Sequence, residues 1–486
     1  MVLLTPQPDH AVADAAVPLV VGLDNTLLRT DLTIESLCVL ARHHPLHLLS
    51  IPKWLAGGRA HFRQCLNEIA VPDVRTLPYR DDLLAWLRDQ RLQGRSLIIA
   101  SRADERLVRE IAEEVDLFDR VIASDGITNL DGETKRERLA SEFGDRQFDY
   151  VGSHRRDYPV WRAARQALLV SPSPRLVRDV AKITPVAAVF DAHLTTPRAI
   201  LHEIRIHHWV KNLLVFTPAA AAHQLYAVDG LGRGMLAFAA FSLCASGVYV
   251  LNDLLDLTHD REHPEKKDRM VASGQIRPAI ALELLLALLI GAAGFSLGLP
   301  AAFSAVLCAY FFLMAAYSLR LKQVPILDVW ILSAGYAMRV LAGAVATGIT
   351  LSSWVIAFIA LLFFSFTLIK RCGELQRQVS LSGAASAQVC GYRGGDAVVL
   401  MAQGVASGYL AVAAMAVYTN IEVAQRLHPQ HEFFLGLCAL LIYWISYMWL
   451  AVARGRMHHD PVVFALKDRV SRWLLIAMAA MTLLSV

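Results

Sequence analysis

Repeated apolar runs dominate the chain from residue 200 onward and limit what it can fold into. A helix needs about 20 mainly apolar residues to cross a bilayer, so each run predicts a transmembrane helix. By this criterion we predict about nine spans, at 210–228, 234–252, 279–298, 300–319, 325–348, 353–369, 397–418, 433–452 and 472–486. Before residue 200 charges are dense and no run approaches this length. The sequence therefore predicts a soluble domain followed by an all-α polytopic membrane domain.

Basic residues collect on one side of the predicted helix bundle. That side receives Arg261, Lys266, Lys267, Arg269, Arg277, Arg320, Lys322, Lys370, Arg371, Arg377, Arg393, Arg454, Arg456, Lys467, Arg469 and Arg472, and the other receives Arg233 and Arg426. By the positive-inside rule, the loop after the second span lies in the cytoplasm. The N-terminal segment has acidic residues and no basic n-region, so we expect no signal peptide and a cytoplasmic first domain.

Composition excludes other classes of protein. An apolar content of 55% is too high for an ordinary soluble protein, and a charged content of 19% is high for a pure membrane bundle. The formal net charge of +4 is small and is spread over separate loops, which argues against a nucleic-acid partner. The seven cysteines show no CxxC spacing, so disulfides and zinc are not expected.

Three aspartates stand at the end of the second predicted span, in "YVLNDLLDLTHDREHPEKKDRM" (249–270). On a helix Asp253, Asp256 and Asp260 lie at i, i+3 and i+7, with Asn252 one turn before Asp256, so they share one stripe. Carboxylates at membrane depth must face a cavity, a partner or a cation. Oxygen ligands favour Mg²⁺, which commonly keeps room for substrate phosphates. The alternative is a solvated juxtamembrane face that pairs with the nearby lysines.

The stretch "NDLLDLTHD" (252–260) resembles the N-D-x-x-D-x-x-x-D signature of the UbiA superfamily of intramembrane prenyltransferases. Its flanks resemble the branch that contains decaprenyl-phosphate phosphoribosyltransferase, through "RIHHWVKNLLVF" (205–216), "DREHPEKKDRMVASG" (260–274), "YSLRLKQVPILDV" (317–329), "MRVLAGAVATG" (338–348) and "KRCGEL" (370–375). This resemblance implies nine spans and Mg²⁺-dependent transfer of phosphoribose from phosphoribosyl pyrophosphate to a polyprenyl phosphate in a bacterial inner membrane, with the site on the cytoplasmic side.

The resemblance also implies roles for individual residues. Those that would hold Mg²⁺ and the donor's diphosphate are Asp253, Asp256, Asn252 and Asp260. Candidate phosphate clamps are Lys266, Arg269, Lys322 and Arg339. Lys211 and Asn212 would bind the lipid phosphate or the donor, or would anchor the interface beside Trp209. A second metal or phosphate subsite would use Tyr317, Lys322 and Asp328, although Asp328 could instead cap a helix. Lys370, Arg371 and Glu374 could contribute, or could form a local ion pair.

Two other functions remain open at the sequence level. The same aspartates would serve a true prenyltransferase, in which a prenyl diphosphate alkylates an aromatic or other acceptor. A non-catalytic lipid-binding or transport protein is a second alternative, and the intact aspartate set argues against it. The expected partners are the bilayer, the polyprenyl phosphate and phosphoribosyl pyrophosphate, and the sequence is compatible with an oligomer.

The first part of the chain repeats a pattern of an apolar strand, a polar turn and an amphipathic helix. It occurs in "PLVVGLDNTLLRTDL" (18–32), "RSLIIASRADERLVREIAEEV" (95–115) and "FDYVGSHRRDYPVWRAA" (148–164). Such alternation predicts an α/β fold with a parallel sheet and a site at the carboxyl ends of the strands. The insertion at 33–75 reads as helices and predicts a cap.

These motifs resemble the haloacid dehalogenase-like phosphatases, with remnant site residues Asp24, Thr26, Ser101, Lys135 and Asp157. In the family's D-x-D-x-T motif the first aspartate attacks phosphate, but Gly22 stands at that position here. Ser153 also stands where the pattern allows a metal-binding aspartate. We therefore expect a catalytically inactive domain at 1–185, a linker at 186–203 and the transferase domain at 204–486. The inactive domain could bind a phosphorylated ligand, or serve as a docking or regulatory element.

Overall fold

The computed structural model describes residues 16–190, 196–222, 224, 228–264, 266–383, 388–419, 433–457 and 461–484. The described residues up to Arg205, together with Tyr249–Leu285, form one compact unit, here called the first unit. Ile206–Val248 and Leu286–Val486 form the second unit. The aspartate-bearing segment therefore belongs to the same compact unit as the N-terminal domain. The domain limits at 185 and 204 stay predictions.

The first unit contains the parallel sheet that the sequence predicts. Six strands lie in the order β3-β2-β1-β4-β5-β6, and every neighbouring pair is parallel. Their bounds are β1 Leu19–Gly22, β2 Leu97–Asp104, β3 Arg120–Ser124, β4 Asp149–Gly152, β5 Ala167–Val170 and β6 Val186–Phe190. Strands β1 (LVVG) and β5 (ALLV) are continuous apolar runs, as expected where helices cover both faces of a parallel sheet. Strand β6 includes the first residues of the segment predicted to be a linker.

Helices connect the strands and form the cap. The cap consists of α1 (Leu32–His43), α2 (Ile51–Ala56) and α3 (Arg59–Ile69), which confirms the helical insertion at 33–75. Its small apolar core contains Leu40, Trp54, Phe62, Leu66 and Ala70. The remaining helices of this domain are α4 (Asp81–Leu92), α5 (Glu105–Val115), α6 (Gly132–Phe143), α7 (Tyr158–Ala163) and α8 (Pro174–Ala181).

Four further helices contribute to the aspartate-bearing part of the first unit. They are α9 (Pro197–Glu203), the end of α11 (Val228–Leu255), α12 (Leu257–Glu262) and the beginning of α13 (Pro278–Ser296). Backbone bonds from Asp256 N to Asn252 O and from Asp260 N to Asp256 O continue the helical path across the junction of α11 and α12. The aspartates therefore keep near-helical spacing.

The second unit is almost entirely helical. It contains a 3₁₀ helix at Ile206–Phe216 and a small hairpin of β7 (Gln388–Val389) and β8 (Tyr392–Arg393). Its helices, beside parts of α11 and α13, are α10 (Thr217–Ala221), α14 (Ala301–Leu319), α15 (Leu327–Thr347), α16 (Ser353–Ser382), α17 (Ala397–Thr419), α18 (Phe433–Ala453), α19 (Pro461–Lys467) and α20 (Arg469–Leu484).

Seven helices among the described residues are long and apolar enough to cross a membrane, namely Gly230–Leu255, Pro278–Ser296, Ala301–Leu319, Leu327–Thr347, Ser353–Leu381, Gly394–Thr419 and Leu435–Ala453. They match seven of the predicted spans. Residues 210–221 of the span predicted at 210–228 are instead divided between the 3₁₀ helix and α10, with Pro218 at the restart, where proline cannot continue a hydrogen-bonded helix. Residues 223 and 225–227 of that span lie outside the described residues. The span predicted at 472–486 corresponds to the 16-residue α20, and residues 485–486 lie outside the described residues.

Close backbone packing fixes the 3₁₀ helix against α15. A Cβ atom at Gly343 would lie 1.9 Å from the carbonyl oxygen of Val215, so no larger residue fits there. Val215 belongs to an apolar core with Phe241, Phe303 and Ala342. On α13 and α14 large apolar side chains such as Ile290 and Phe312 point outward, 72% and 68% exposed. Exposed apolar surface of this kind suits contact with lipid.

Candidate active site

The aspartate cluster of Asp253, Asp256 and Asp260 is buried in the first unit. The three residues are only 2%, 8% and 1% exposed, and Asn252 beside them is half-buried. Burial of a carboxylate is unfavourable unless a cation or hydrogen-bond donors compensate its charge. The alternative interpretation of the sequence, a solvated juxtamembrane face, does not apply to these buried side chains.

Two arginines bind the cluster directly. Arg205 Nη2 donates to both carboxylate oxygens of Asp253, at 2.8 and 2.5 Å. Arg269 Nη1 donates to Asp253 Oδ1 at 3.0 Å and to Asp260 Oδ2 at 2.6 Å, so it joins the first and third aspartates. The third cation is Arg42 of α1, whose Nη2 lies 3.8 Å from Asp256 Oδ1. Charge-assisted contacts of this kind are strong and orient the carboxylates.

One more carboxyl group completes the cluster. Glu203, at the end of α9, is 2% exposed and hydrogen-bonds Asp253. Burial raises the pKa of Glu203 to about 8, and the negative charge of Asp253 adds to the rise. Burial likewise raises the pKa of Asp260, against the opposing charge of Arg269. Glu203 Oε1 and Asp260 Oδ1 are buried and have no hydrogen-bond partner.

These oxygen atoms suit a hard divalent cation, because Mg²⁺ binds carboxylate oxygens. Asp260 Oδ1 has no hydrogen-bond partner and is available as a ligand. In the described part of the chain, however, no three Asp, Glu, His or Cys side chains converge closely enough to hold a metal as they stand. Arg205 and Arg269 take up the oxygens of Asp253 instead. The carboxylate chemistry therefore suits Mg²⁺, whereas the arrangement of the described side chains is that of an arginine-paired cluster.

The second unit holds a different buried acid. Asp328, in the first turn of α15, is fully buried; its Oδ2 accepts from Arg371 Nε at 2.6 Å and its Oδ1 from the Tyr392 hydroxyl at 2.6 Å. Arg371 also donates to the Tyr317 hydroxyl at 2.8 Å and to Glu374 at 2.6 Å. Both oxygens of Asp328 are satisfied within the protein, which is the pattern of a structural ion-pair network.

Asn212 and Arg339 form a third buried group, also in the second unit. Arg339 Nε donates to Asn212 Oδ1 at 2.7 Å, and Asn212 Nδ2 donates to Ser242 Oγ at 3.0 Å. Arg339 also donates to the Gly335 carbonyl oxygen and to the Tyr310 hydroxyl. The contacts of Arg339 are thus made within the helix bundle.

Three predicted phosphate contacts lie nearer the surface. Lys211 places its Nζ 5.9 Å from the ring centroid of Tyr336, and Lys322 is half-buried in a short 3₁₀ helix at Leu321–Gln323. Lys266 is half-buried in the segment that follows α12, and its charge acts on Asp260. Among the predicted clamps, the structure brings Arg269 and Lys266 to the aspartate cluster. Lys211, Lys322, Asn212, Arg339, Tyr317 and Asp328 belong to the second unit.

The remnant phosphatase site surrounds a cavity of about 410 Å³ at the carboxyl end of β1. Asp24, Thr26, Ser101, Lys135 and Asp157 all line it. Lys135 Nζ lies 3.7 Å from Asp157 Oδ1, and Thr26 donates to Ser153 Oγ at 3.0 Å. A Cβ atom at Gly22 would lie 3.2 Å from Thr26 Oγ1, the Tyr150 hydroxyl and the Val151 carbonyl oxygen. The predicted nucleophile position therefore has no reactive side chain and little space for one.

An arginine stands among the acids of that cavity. Arg102 Nε donates to Asp24 Oδ2 at 3.2 Å, Arg102 also forms an ion pair with Asp31, and its Nη1 lies 3.9 Å from Asp131. Burial and the nearby charge of Asp31 raise the pKa of Asp24. A guanidinium therefore neutralises the carboxylates at the end of β1, and Gly22, at the predicted nucleophile position, carries no group that can attack phosphate.

The long apolar helices and the six-stranded parallel sheet define a polytopic membrane protein that also carries an α/β domain. The family model described as the UbiA prenyltransferase family matches residues 213–473, more than half of the chain. The chain belongs to the UbiA prenyltransferase family, and it is an integral membrane protein.

Two relatives are similar to this chain over different lengths. Protein y4nM of Sinorhizobium fredii is 31% identical over 471 residues, covering 96% of this chain and 90% of that protein. The decaprenyl-phosphate phosphoribosyltransferase of Mycolicibacterium smegmatis is 34% identical over 182 residues, covering 36% of this chain and 57% of that protein. The similarity to y4nM therefore extends over nearly the whole chain, whereas the similarity to the Mycolicibacterium phosphoribosyltransferase covers 36% of it.

Two solved structures align with the two parts of the chain. A UbiA homologue from Archaeoglobus fulgidus, bound to DMAPP and Mg²⁺, aligns with a TM-score of 0.46 and 14% identity over 59% of this chain and 97% of that chain. A phosphoserine phosphatase aligns with a TM-score of 0.27 and 13% identity over 36% of this chain and 94% of that chain.

Sequence reasoning missed Glu203 and Arg205. Both precede the "HHWVKN" stretch, and Arg205 begins the "RIHHWVKNLLVF" motif, in which the predicted site residues are Lys211 and Asn212. The available signal was a charged pair next to a membrane interface, where charges at depth require partners. The partner, Asp253, lies 48 positions away in the sequence, and only the fold shows the contact.

Proposed function

We propose that this protein transfers 5-phosphoribose from phosphoribosyl pyrophosphate to a polyprenyl phosphate of the decaprenyl type, in a Mg²⁺-dependent reaction. The product, a polyprenyl-phosphoryl-phosphoribose, would supply pentose for the cell envelope. The observation that carries the proposal is the buried aspartate cluster with Arg205 and Arg269 bound to it, because a charged diphosphate with its cation needs both signs of charge. The similarity to decaprenyl-phosphate phosphoribosyltransferases supports the choice of donor.

The reaction breaks the bond between ribose C1 and the diphosphate oxygen and forms a bond between C1 and an oxygen of the lipid phosphate. Positive charge develops on the ribose, and the electron pair leaves with the diphosphate. The lipid phosphate is already an anion, so no strong general base is required. Catalysis then depends chiefly on holding two anions together and stabilising the leaving group.

Residues of the first unit are suited to these tasks. Asp253, Asp256 and Asp260, with Asn252, would hold Mg²⁺, which supplies Lewis-acid stabilisation of the leaving diphosphate. Arg269 and Lys266 follow the aspartates in sequence and carry the positive charge nearest to Asp260. Arg205 presents a guanidinium, which can bind phosphate through two hydrogen bonds. Glu203, held protonated by burial, adds a hydrogen-bond donor to Asp253 without adding charge.

Transfer of label from phosphoribosyl pyrophosphate into the lipid fraction tests the proposal. Purified full-length protein in polyprenyl-phosphate-containing vesicles should form a labelled lipid, and a chelator of divalent cations should stop it. Asp253→Asn should lower the rate by at least about a hundredfold, because it removes a charge at the centre of the cluster. Asp268→Asn, an exposed acid in the same segment, is the matched control and should retain activity. Absence of label in the lipid fraction with wild-type protein would reject the proposal.

Prenyl transfer is the second candidate, and membership of the UbiA prenyltransferase family favours it. In that reaction the same cluster would bind a prenyl diphosphate, and an aromatic or other acceptor would be alkylated. A parallel assay with labelled prenyl diphosphate and an aromatic acceptor separates the two reactions. Alkylated acceptor together with no phosphoribosyl lipid would favour prenyl transfer.

The basic loops support an orientation in a bacterial inner membrane in which the first unit lies on the cytoplasmic side. Protease treatment of sealed inverted vesicles tests this orientation. The N-terminal domain should be digested in inverted vesicles and protected in right-side-out ones.

A further inference from the structure

We infer that α1 of the phosphatase-like domain is a docking element that positions the aspartate-bearing segment, so that the domain which lost its own nucleophile serves the transferase site. The inference deepens the proposed function and rests on it for the assignment of Asp253, Asp256 and Asp260 to that site. Glu35 and Arg42, seven positions apart on one face of α1, are the positioning residues.

The central contact is a buried ion pair between Glu35 and Arg261. Arg261 Nη1 donates to Glu35 Oε2 at 3.1 Å and Nη2 donates to Oε1 at 2.7 Å, and the two side chains are 7% and 1% exposed. Thr30 Oγ1 also donates to Glu35 Oε1, at 2.6 Å. A two-pronged, buried contact of this kind fixes distance and orientation, and removal of one partner leaves the other charge uncompensated.

Arg261 carries this constraint into the aspartate segment. It directly follows Asp260 on α12, and its Nε donates to the carbonyl oxygen of Ala272 at 3.0 Å. One guanidinium therefore ties α1, α12 and the chain beyond Arg269 together. Arg269, which binds Asp253 and Asp260, lies between the two points that Arg261 holds. Arg261 therefore fixes both ends of the segment that contacts the cluster.

Two further contacts reach the same segment. Arg42 Nη2 lies 3.8 Å from Asp256 Oδ1, with the two side chains 16% and 9% exposed. Gly274, with φ of +73°, packs so closely that a Cβ atom there would lie 2.9 Å from Cβ of Arg29, just before α1. A side chain would be both strained and crowded at this position. The cap therefore contacts the segment at Asp256 and Arg261, and Arg29, just before the cap, contacts it at Gly274.

These contacts do not depend on the predicted phosphatase site of the same domain. Gly22 cannot attack phosphate, whereas Glu35, buried and charged, is unfavourable in a cap helix unless a partner such as Arg261 compensates it. A buried glutamate that pairs with a residue 226 positions away has a role in holding that residue. Such a role requires no hydrolysis by the domain.

Hydrogen exchange of the full-length protein tests the inference without reference to activity. In Glu35→Gln, peptides covering 257–264 and 266–274 should exchange at least tenfold faster than in wild type, while β1 and β2 peptides stay protected. The matched control is Glu105→Gln, which removes an exposed ion pair with Arg109 on α5 and should leave both regions unchanged. Arg42→Gln, at a partly exposed site, gives a second variant if Glu35→Gln does not fold, and should loosen 257–264.

Transferase kinetics provide a second readout. Glu35→Gln should raise KM for phosphoribosyl pyrophosphate at least fivefold with kcat changed less than twofold, because the segment is displaced but its chemical groups remain. Unchanged exchange in 257–274 for both cap variants would overturn the inference. If the cap variants exchange faster but the wild-type protein transfers no phosphoribose, the docking inference stands and the proposed reaction is rejected.

Discussion

Arg205 Nη2 contacts both carboxylate oxygens of Asp253, at 2.8 and 2.5 Å, and its guanidinium lies 5.1 Å from the ring centroid of Tyr249. A lysine cannot reproduce this combination of planar contact and hydrogen bonding. We expect Arg205→Lys to lower kcat/KM for phosphoribosyl transfer at least about tenfold, equivalent to about 1.4 kcal/mol of transition-state stabilisation. Steady-state assays in vesicles measure the change.

Arg198→Lys is the matched control for that variant. Arg198 lies on α9 near Arg205 and is exposed, so the exchange should leave kcat/KM unaltered. If Arg205→Lys retains wild-type activity, the contact to Asp253 contributes to packing and not to transfer.

The raised pKa of Glu203 predicts a pH dependence of stability. The folded chain keeps this proton up to about pH 8, whereas the unfolded chain releases it near 4.5. The folded state therefore binds more protons within that window, and the free energy of unfolding should fall as pH rises through it. Thermal unfolding across this range should show a shallower decline for Glu203→Gln than for wild type. Glu262→Gln, at an exposed site on α12, should keep the wild-type slope.

Local pattern made the α/β domain predictable. Each motif is a buried apolar strand that runs into a polar turn, and parallel strands bring their carboxyl ends to one edge, so Asp24, Ser101 and Asp157 meet there. The helical spacing of Asp253, Asp256 and Asp260 was likewise readable, because near-helical geometry continues through Asp256. In both cases the predictive pattern lies within a short stretch of sequence.

The unpredicted features depend on contacts between distant parts of the chain. Hydropathy suggested a helix at 210–228, but hydropathy measures transfer to lipid and does not report backbone geometry. There Pro218 interrupts the helix and the 3₁₀ segment packs against Gly343. Pairing of Arg261 with Glu35 joins residues 226 positions apart, and no periodic pattern specifies such a partner.

Restoration of the missing nucleophile should not restore phosphatase activity. In Gly22→Asp the new side chain would enter a space where Cβ already lies 3.2 Å from three oxygen atoms, and Asp24 would remain bound by Arg102. Groups that act as a unit fail together, so one replacement is insufficient. Hydrolysis of p-nitrophenyl phosphate by Gly22→Asp should equal that of wild type. A rate clearly above wild type would show that Arg102 leaves the site competent.

The buried network around Asp328 predicts a large effect on stability. Arg371→Met removes the cation bound to Asp328, Tyr317 and Glu374 and leaves a buried carboxylate uncompensated. Such a loss typically costs about 3–5 kcal/mol, so Tm in detergent should fall markedly. Lys370→Met is the matched control, because Lys370 lies beside Arg371, is 39% exposed and stands 3.9 Å from Glu374. Exposed pairs contribute at most about 1 kcal/mol, so the control should unfold close to wild type. Equal Tm values for the two variants would contradict a structural role for the Asp328 network.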